Sequence, residues 1–299
     1  MMTTFNIPEE KKMRVIINTD AKNEVDDQYA IVQTLLTESF DLRGLIAAHF
    51  GDEKSDQSMI DSYDEIMKLL RIMAFEGDVR VEKGAPRALE SEEEVLVSDG
   101  AKLIVEEAMK ADDRGLYIAF LGPLTDMASA LLMAPEIQEK DIKVIWIGGR
   151  DWPDGGWEYN LKNDVNAANV VFKSKVELWQ VPRNVYRMMP VSFAELSERV
   201  RPNGPIGEYL VDSVIDFNNV SIKRPTEYRV LGDSPAIGLI MYEDCGQWSN
   251  KPAPTFDHEM KYVHHDHNRK IRVYENIDAR FIMEDFYAKL SRFHNGKHT

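Results

Sequence analysis

Apolar residues recur along this chain in two rhythms. RVIIN (14–18) is a short β-branched run that stops in a polar cluster, the pattern of a buried strand. Tyr29, Ile31, Val32, Leu35 and Leu36 then fall at helical spacing between Gln28 and about Glu38. LRGLIAA (42–48) predicts a second strand, and 56–73 sets Met59, Ile60, Tyr63, Ile66, Met67 and Leu70 on one helical face. LYIAF (116–120) and KVIWI (143–147) read as strands with glycine close behind, and LTDMASALLMA between them reads as a helix. DVNAANVVFKS (164–174) predicts another helix, leading into a strand at VELWQV (176–181). This alternation predicts an α/β fold: a mostly parallel central sheet flanked by helices on both faces.

The last third is less regular. Helical stretches are expected near Phe193 and Leu196, over 206–217, and at SPAIGLIMY (234–242), which opens on Ser-Pro. The polar stretch 246–270 reads as loop or hairpin, IRVYENI (271–277) as a strand, and 281–293 as a closing helix. With no internal repeat and no low-complexity linker, one domain over 1–299 is expected.

Composition narrows the function classes. Hydrophobic residues make up 43% and charged residues 29%, ordinary for a globular protein. The net charge of -15 argues against a nucleic-acid partner, because phosphate binding needs clustered Lys and Arg. No apolar run is long enough for a membrane span, and the N-terminus lacks the apolar core of a secretory signal. Cys245, the single cysteine, rules out an internal disulfide. A cytoplasmic location is expected.

The candidate chemistry lies in NTDAKNEVDD, at the end of the first predicted strand. In open parallel sheets, ligands bind beyond the carboxyl ends of strands. Asp20, Asp26 and Asp27, with Glu24 between them, gather enough negative charge to need a cation or hydrogen bonds. Oxygen ligands suit Ca²⁺ or Mg²⁺ rather than Zn²⁺. The competing reading is that Asp26 or Asp27 only caps the helix that follows.

Seven further segments, in order, extend the pattern. NTDAKNEVDDQYA resembles the DTDPGxDDAxA opening of the nucleoside hydrolase family. LRGLIAAHFGD, VEKGAPRAL and LGPLTDMASAL are similar to the family's second strand, its Gly-Ala segment and its LGPLTNIAxAL. IWIGGR, WEYNLKNDVNAANVVF, GDSPAI and the closing IRVYENIDARFIMEDFYAKL complete the set. The resemblance implies Ca²⁺-dependent hydrolysis of a small-molecule nucleoside or riboside, in a homodimer or homotetramer. It implies that Asp20 holds the attacking water and contacts the metal, and that Asp27, Asp233 and the Thr125 carbonyl are metal ligands. It implies further that Asp26, Glu158 and Asn160 bind sugar hydroxyls.

The departures are as specific as the matches. Asn18 stands where the family usually has its first Asp, so one negative charge is missing there. The loop between Asp20 and Asp26 is two residues longer. Asp52, a candidate substrate-binding residue, follows Gly51 where a sugar-binding Asn is usual, and Gly232 replaces a His before the last Asp. The leaving-group side therefore looks altered. His49, a histidine from 258–267, and Trp152 or Trp157 are candidates to protonate or stack a departing base. Two other readings stay open: hydrolysis of a non-nucleoside pentoside, and calcium-dependent sugar binding without catalysis. A phosphohydrolase is disfavoured by the lack of a P-loop.

Overall fold

The structure, a computed structural model, describes residues 7–221, 223 and 226–296. Its strands run in chain order β1 (Met13–Thr19), β2 (Phe40–Ala47), β3 (Val81–Lys83), β4 (Leu116–Phe120), β5 (Ile142–Ile147) and β6 (Glu177–Val181). They continue as β7 (Pro190–Ser192), β8 (Tyr228–Val230), β9 (Trp248–Pro252), β10 (Thr255–Phe256), β11 (Tyr262–Val263) and β12 (Lys270–Tyr274). Eight form one sheet in the order β3-β2-β1-β4-β5-β6-β12-β9. Every neighbouring pair is parallel except β12 and β9.

A parallel sheet buries both faces, so its central strands cannot alternate polar and apolar. In β1, residues Arg14 to Thr19 are all buried. One face is covered by a cluster containing Ile17, Ile31, Leu69, Trp179, Leu210 and Ile282. The other is covered by a cluster containing Ile16, Leu103, Phe120, Trp146, Val171 and Val273. Adjacent residues Ile16 and Ile17 thus feed opposite layers, as the pleat requires.

Chain order reverses in the middle of the sheet. β1 to β3 progress one way and β4 to β6 the other, with β1 and β4 paired from Arg14↔Leu116 to Asn18↔Phe120. Such a switch point leaves a crevice beyond the strands' carboxyl ends. The loops after β1 and β4 both open there.

The predicted strands and helices are present with shifted ends. Several elements escaped the pattern, among them the short β3, β7 and β8, the short helices Tyr159–Asn163 and Arg183–Tyr186, and a helix over Asp99–Met109 capped by Ser98 Oγ, which accepts from Ala101 N. The stretch expected as loop or hairpin contains the β10–β11 hairpin and also β9, which extends the main sheet. No helix among the described residues is long and apolar enough to cross a membrane.

Candidate active site

The crevice is lined by carboxylates from both ends of the chain. Asp20 follows β1, Asp26 and Asp27 open the helix Asp27–Leu35, and Asp233 immediately precedes the helix Ser234–Met241. All four line one cavity of ≈ 90 Å³ with Asn23, Leu121, Glu158, Asn160 and Tyr186. Asp26, Asp27 and Asp233 each place an oxygen within 4.8 Å of the others. Neither Asp26 nor Asp233 makes a side-chain cap bond to its helix, so capping does not account for them.

The longer loop still converges because it is pinned along its length. Asn23 N donates to Asp20 O at 2.8 Å, and Val25 is buried in the core. Gln28 Nε2 donates to Ala21 O at 2.7 Å, Lys22 pairs with Glu65, and Arg229 pairs with Glu24. Asp27 accepts from Thr19 Oγ1, and Asp26 Oδ2 accepts from Gly232 N at 2.9 Å. Asp20 is pressed against β4's loop: a Cβ on Gly122 would lie 2.9 Å from its Cγ and Oδ1, so only glycine fits there.

Without a cation this cluster is electrostatically costly. Burial first, then the neighbouring Asp27 and Asp26, hold the Asp20 carboxyl well above its ordinary range. Burial, then Asp26, pushes Asp27 up to about 7, and burial pushes Asp26 up to about 6. Asp233 is raised by burial, then by Asp26, Asp27 and Asp20. Asp20 Oδ2 is buried and has no hydrogen-bond partner. Clustered anionic oxygens with an orphaned buried acceptor fit a hard divalent cation.

Behind the acids, Asn18 Nδ2 donates to Asp126 Oδ2 at 2.8 Å, and Asp126 Oδ1 accepts from Ser98 Oγ and Ala85 N. The negative charge missing at position 18 is therefore carried by its bonded partner. Asn18 and Asp126 are the reverse of the Asp and Asn in DTD and LTN of the motifs above. The expectation that Asn18 leaves one negative charge missing is corrected: the charge lies across one hydrogen bond, on Asp126.

The remaining predicted residues divide into two groups. Glu158 and Asn160 reach the cavity, yet both already hold the backbone. Glu158 accepts from Gly149 N at 2.9 Å, Leu161 N at 3.0 Å and Tyr186 Oη at 3.1 Å. Asn160 Nδ2 donates to the carbonyls of Leu121 and Ile147, at 2.7 and 2.8 Å. Thr125, His49 and Asp52 are not among the residues lining the acid cavity.

His49 is buried in a relay of its own. Its Nδ1 accepts from Gly51 N at 3.3 Å, so Nε2 carries the proton and donates to Thr125 Oγ1 at 2.9 Å. Thr125 Oγ1 donates in turn to Asp164 Oδ2 at 2.8 Å. Burial lowers the His49 pKa to about 4, so the ring is neutral and its proton is committed. Asp52 is exposed in a separate groove with Arg87 and Lys162. In the loop after β4, Leu121 lines the cavity, and its carbonyl accepts from Asn160 Nδ2. Trp152 is tied to Gln180, whereas Trp157 stands 51% exposed at the rim of an adjoining cavity. His264 Nε2 contacts Pro153 O and His265 Nε2 contacts Thr255 Oγ1.

Sequence reasoning missed Leu121, Asn23 and Tyr186. Tyr186 sits in a four-residue helix, Arg183–Tyr186, too short to carry a periodic signal.

A mostly parallel sheet with an acid-lined crevice at its switch point defines an α/β protein with a small-molecule site beyond the carboxyl ends of its strands. The sequence pattern of the inosine-uridine preferring nucleoside hydrolases matches residues 15–279, and the chain belongs to that family. It is thereby an N-glycoside hydrolase of a metal-dependent family. The pyrimidine-specific ribonucleoside hydrolase RihB of Escherichia coli (strain SE11) is 25% identical over 265 residues, covering 78% of this chain and 80% of RihB. The purine-preferring ribonucleoside hydrolase from Gardnerella vaginalis superposes with a TM-score of 0.76 at 18% identity, covering 94% and 99% of the two chains. The inosine-uridine preferring nucleoside hydrolase from Bacillus anthracis gives 0.68 at 18%, covering 96% and 100%.

Proposed function

We propose that this protein hydrolyses the N-glycosidic bond of a ribonucleoside or related riboside in a Ca²⁺-dependent reaction, releasing ribose and a base. The observation that carries this reading is the convergence of Asp20, Asp26, Asp27 and Asp233 on one cavity, with Asp20 Oδ2 buried and unpartnered. Asp26, Asp27 and Asp233 would hold the cation, with Leu121 on the same wall. Bound Ca²⁺ supplies Lewis acidity and neutralises the acids.

The chain's own residues divide the rest of the work. Asp20 accepts the proton of the attacking water. Asp26, Glu158 and Asn160 bind sugar hydroxyls. Asn160 does so through Oδ1, since both Nδ2 hydrogens hold carbonyls. Among the described residues, three candidates for protonating the leaving group are committed or missing: His49 is neutral and engaged, Gly232 has no side chain, and Tyr186 donates to Glu158. The cavity walls therefore serve a leaving group that departs with little protonation.

The test is ribose release in calcium, side by side, from p-nitrophenyl riboside, inosine and uridine. Faster cleavage of p-nitrophenyl riboside, by about 10² or more, is expected where general-acid assistance is absent. Chelation should stop all three reactions. Equal rates on all three would reveal a proton donor. Ribose binding with no cleavage of any would replace hydrolysis by calcium-dependent sugar recognition.

A further inference from the structure

A second cavity, of ≈ 370 Å³, adjoins the acid site and shares Glu24, Asp26, Tyr159, Tyr186 and Gly232 with it. Its outer wall has the opposite character. Arg183, Arg187 and Arg229 line it together with Trp157 and Tyr228. Arg229 is paired with Glu24. Arg183 and Arg187 have no side-chain hydrogen bond or ion pair among the described residues. Their separation of four residues spans one helical turn, with Arg187 N bonded to Arg183 O at 3.2 Å, so two like charges share one face.

That arrangement runs against the chain's composition. With 51 Asp and Glu against 36 Lys and Arg, carboxylates are abundant, yet among the described residues none forms an ion pair with either arginine. The acids bordering the cavity are already committed: Glu24 to Arg229, and Asp26 to the inner site and Gly232 N. Two repelling guanidiniums become favourable when an anion bridges them, and the planar guanidinium fork suits carboxylate and phosphate oxygens. Trp157 and Tyr228, 51% and 46% exposed, offer ring faces beside the charges. Aromatic faces of this kind bind planar heterocycles.

We propose that the outer cavity selects a riboside bearing an anionic group, a carboxylate or a phosphate, which Arg183 and Arg187 bind. This rests on the riboside-hydrolase reading and deepens it. The anion could sit on the base or on the sugar, and the two sources separate experimentally without turnover.

The experiment is calorimetric binding to the intact protein in calcium buffer, using two matched pairs of probes. Orotate against uracil tests a charge on the base, and ribose 5-phosphate against ribose tests a charge on the sugar. The charged member of one pair should bind about tenfold or more tighter than its neutral partner, the scale of one charge-assisted hydrogen bond. That advantage should shrink as ionic strength rises. It should fall toward unity in Arg183→Gln/Arg187→Gln, and Arg187→Lys should restore part of it by returning the charge. Arg187 is exposed, so the single Arg187→Gln keeps the test open should the double variant not fold. No advantage for either charged probe, or an advantage unchanged in the arginine variants, overturns the proposal. Ribose release from uridine is measured in parallel. Uridine cleavage without anion preference removes this inference alone. Anion preference with no ribose released from any riboside supports the cationic cavity and removes the hydrolase reading.

Discussion

The inner and outer cavities share a wall at Asp26 and Tyr186 but are built from different material. The inner one is set by the ends of β1 and β4 at the centre of the sheet, where the strands are buried on both faces. Its acids are fixed by backbone and side-chain bonds, and Gly122 leaves no slack beside Asp20. The outer one is set by the four-residue helix Arg183–Tyr186 and the three-residue β8, with side chains partly in water. Position is over-determined in the first and loosely held in the second. Under the proposed function, the chemistry common to all ribosides falls to the rigid cavity, and discrimination among ribosides to the one whose residues can change without disturbing the sheet.

The comparison is broken most directly at Asp20. Asp20→Asn keeps the shape and removes the proton acceptor, so ribose release should drop by about 10²–10⁴ on every riboside alike. A loss confined to one leaving group would place Asp20 in the outer cavity's work instead.

The next effect lies behind the acids. Asn18→Asp puts two buried carboxylates at a contact now 2.8 Å long, and should cost about 3–5 kcal/mol in chemical denaturation. Adding Asp126→Asn restores one charge and one donor, and should recover most of that loss. Failure of the double exchange to recover would mean that Ser98 and Ala85 N, not Asn18, fix the charge at Asp126.

A smaller effect couples the acids to pH. Because burial raises Asp26 to about 6 and Asp27 to about 7, the cation-free folded chain holds protons that the unfolded chain has released. Its stability from these groups is therefore lost as pH rises from about 4 to 7. His49, lowered to about 4, acts in the opposite sense over an overlapping window. Calcium requires the carboxylates deprotonated. The rise in Tm on adding calcium should thus be larger at pH 8 than at pH 5, and should vanish in Asp27→Ala. The with-minus-without difference cancels His49 and the surface carboxylates. An Asp27→Ala protein with an unchanged calcium response would remove Asp27 from the ligand set.

The smallest expected change in turnover is at His49, which lines neither cavity. His49→Gln should cost about 1–3 kcal/mol of stability by disturbing Thr125 and Asp164, with the preference among ribosides unchanged. A shift in that preference would return His49 to the leaving-group side.

The fold was legible in the sequence wherever burial wrote a rhythm: RVIIN, LYIAF and KVIWI became β1, β4 and β5 because strands covered on both faces must be continuously apolar. The acids were legible for a related reason, since a strand end followed by three carboxylates before an apolar helix is dense in a single short segment. Asp233 needed the resemblance, being more than 200 residues away.

What the sequence could not decide was every relation that depends on which atoms meet across the fold. Asn18 alone reads as a lost charge; only its bond to Asp126, 108 residues later, shows the charge relocated. Thr125 and His49 stand in the right motifs, but one bonds the other inside the protein, while Leu121 reaches the cavity. Arg183, Arg187 and Arg229 carry no local pattern, because they come from a short helix and a short strand that periodicity cannot detect. Local sequence determines what each segment buries and where charge is concentrated; the packing of distant segments determines which partner each charge receives.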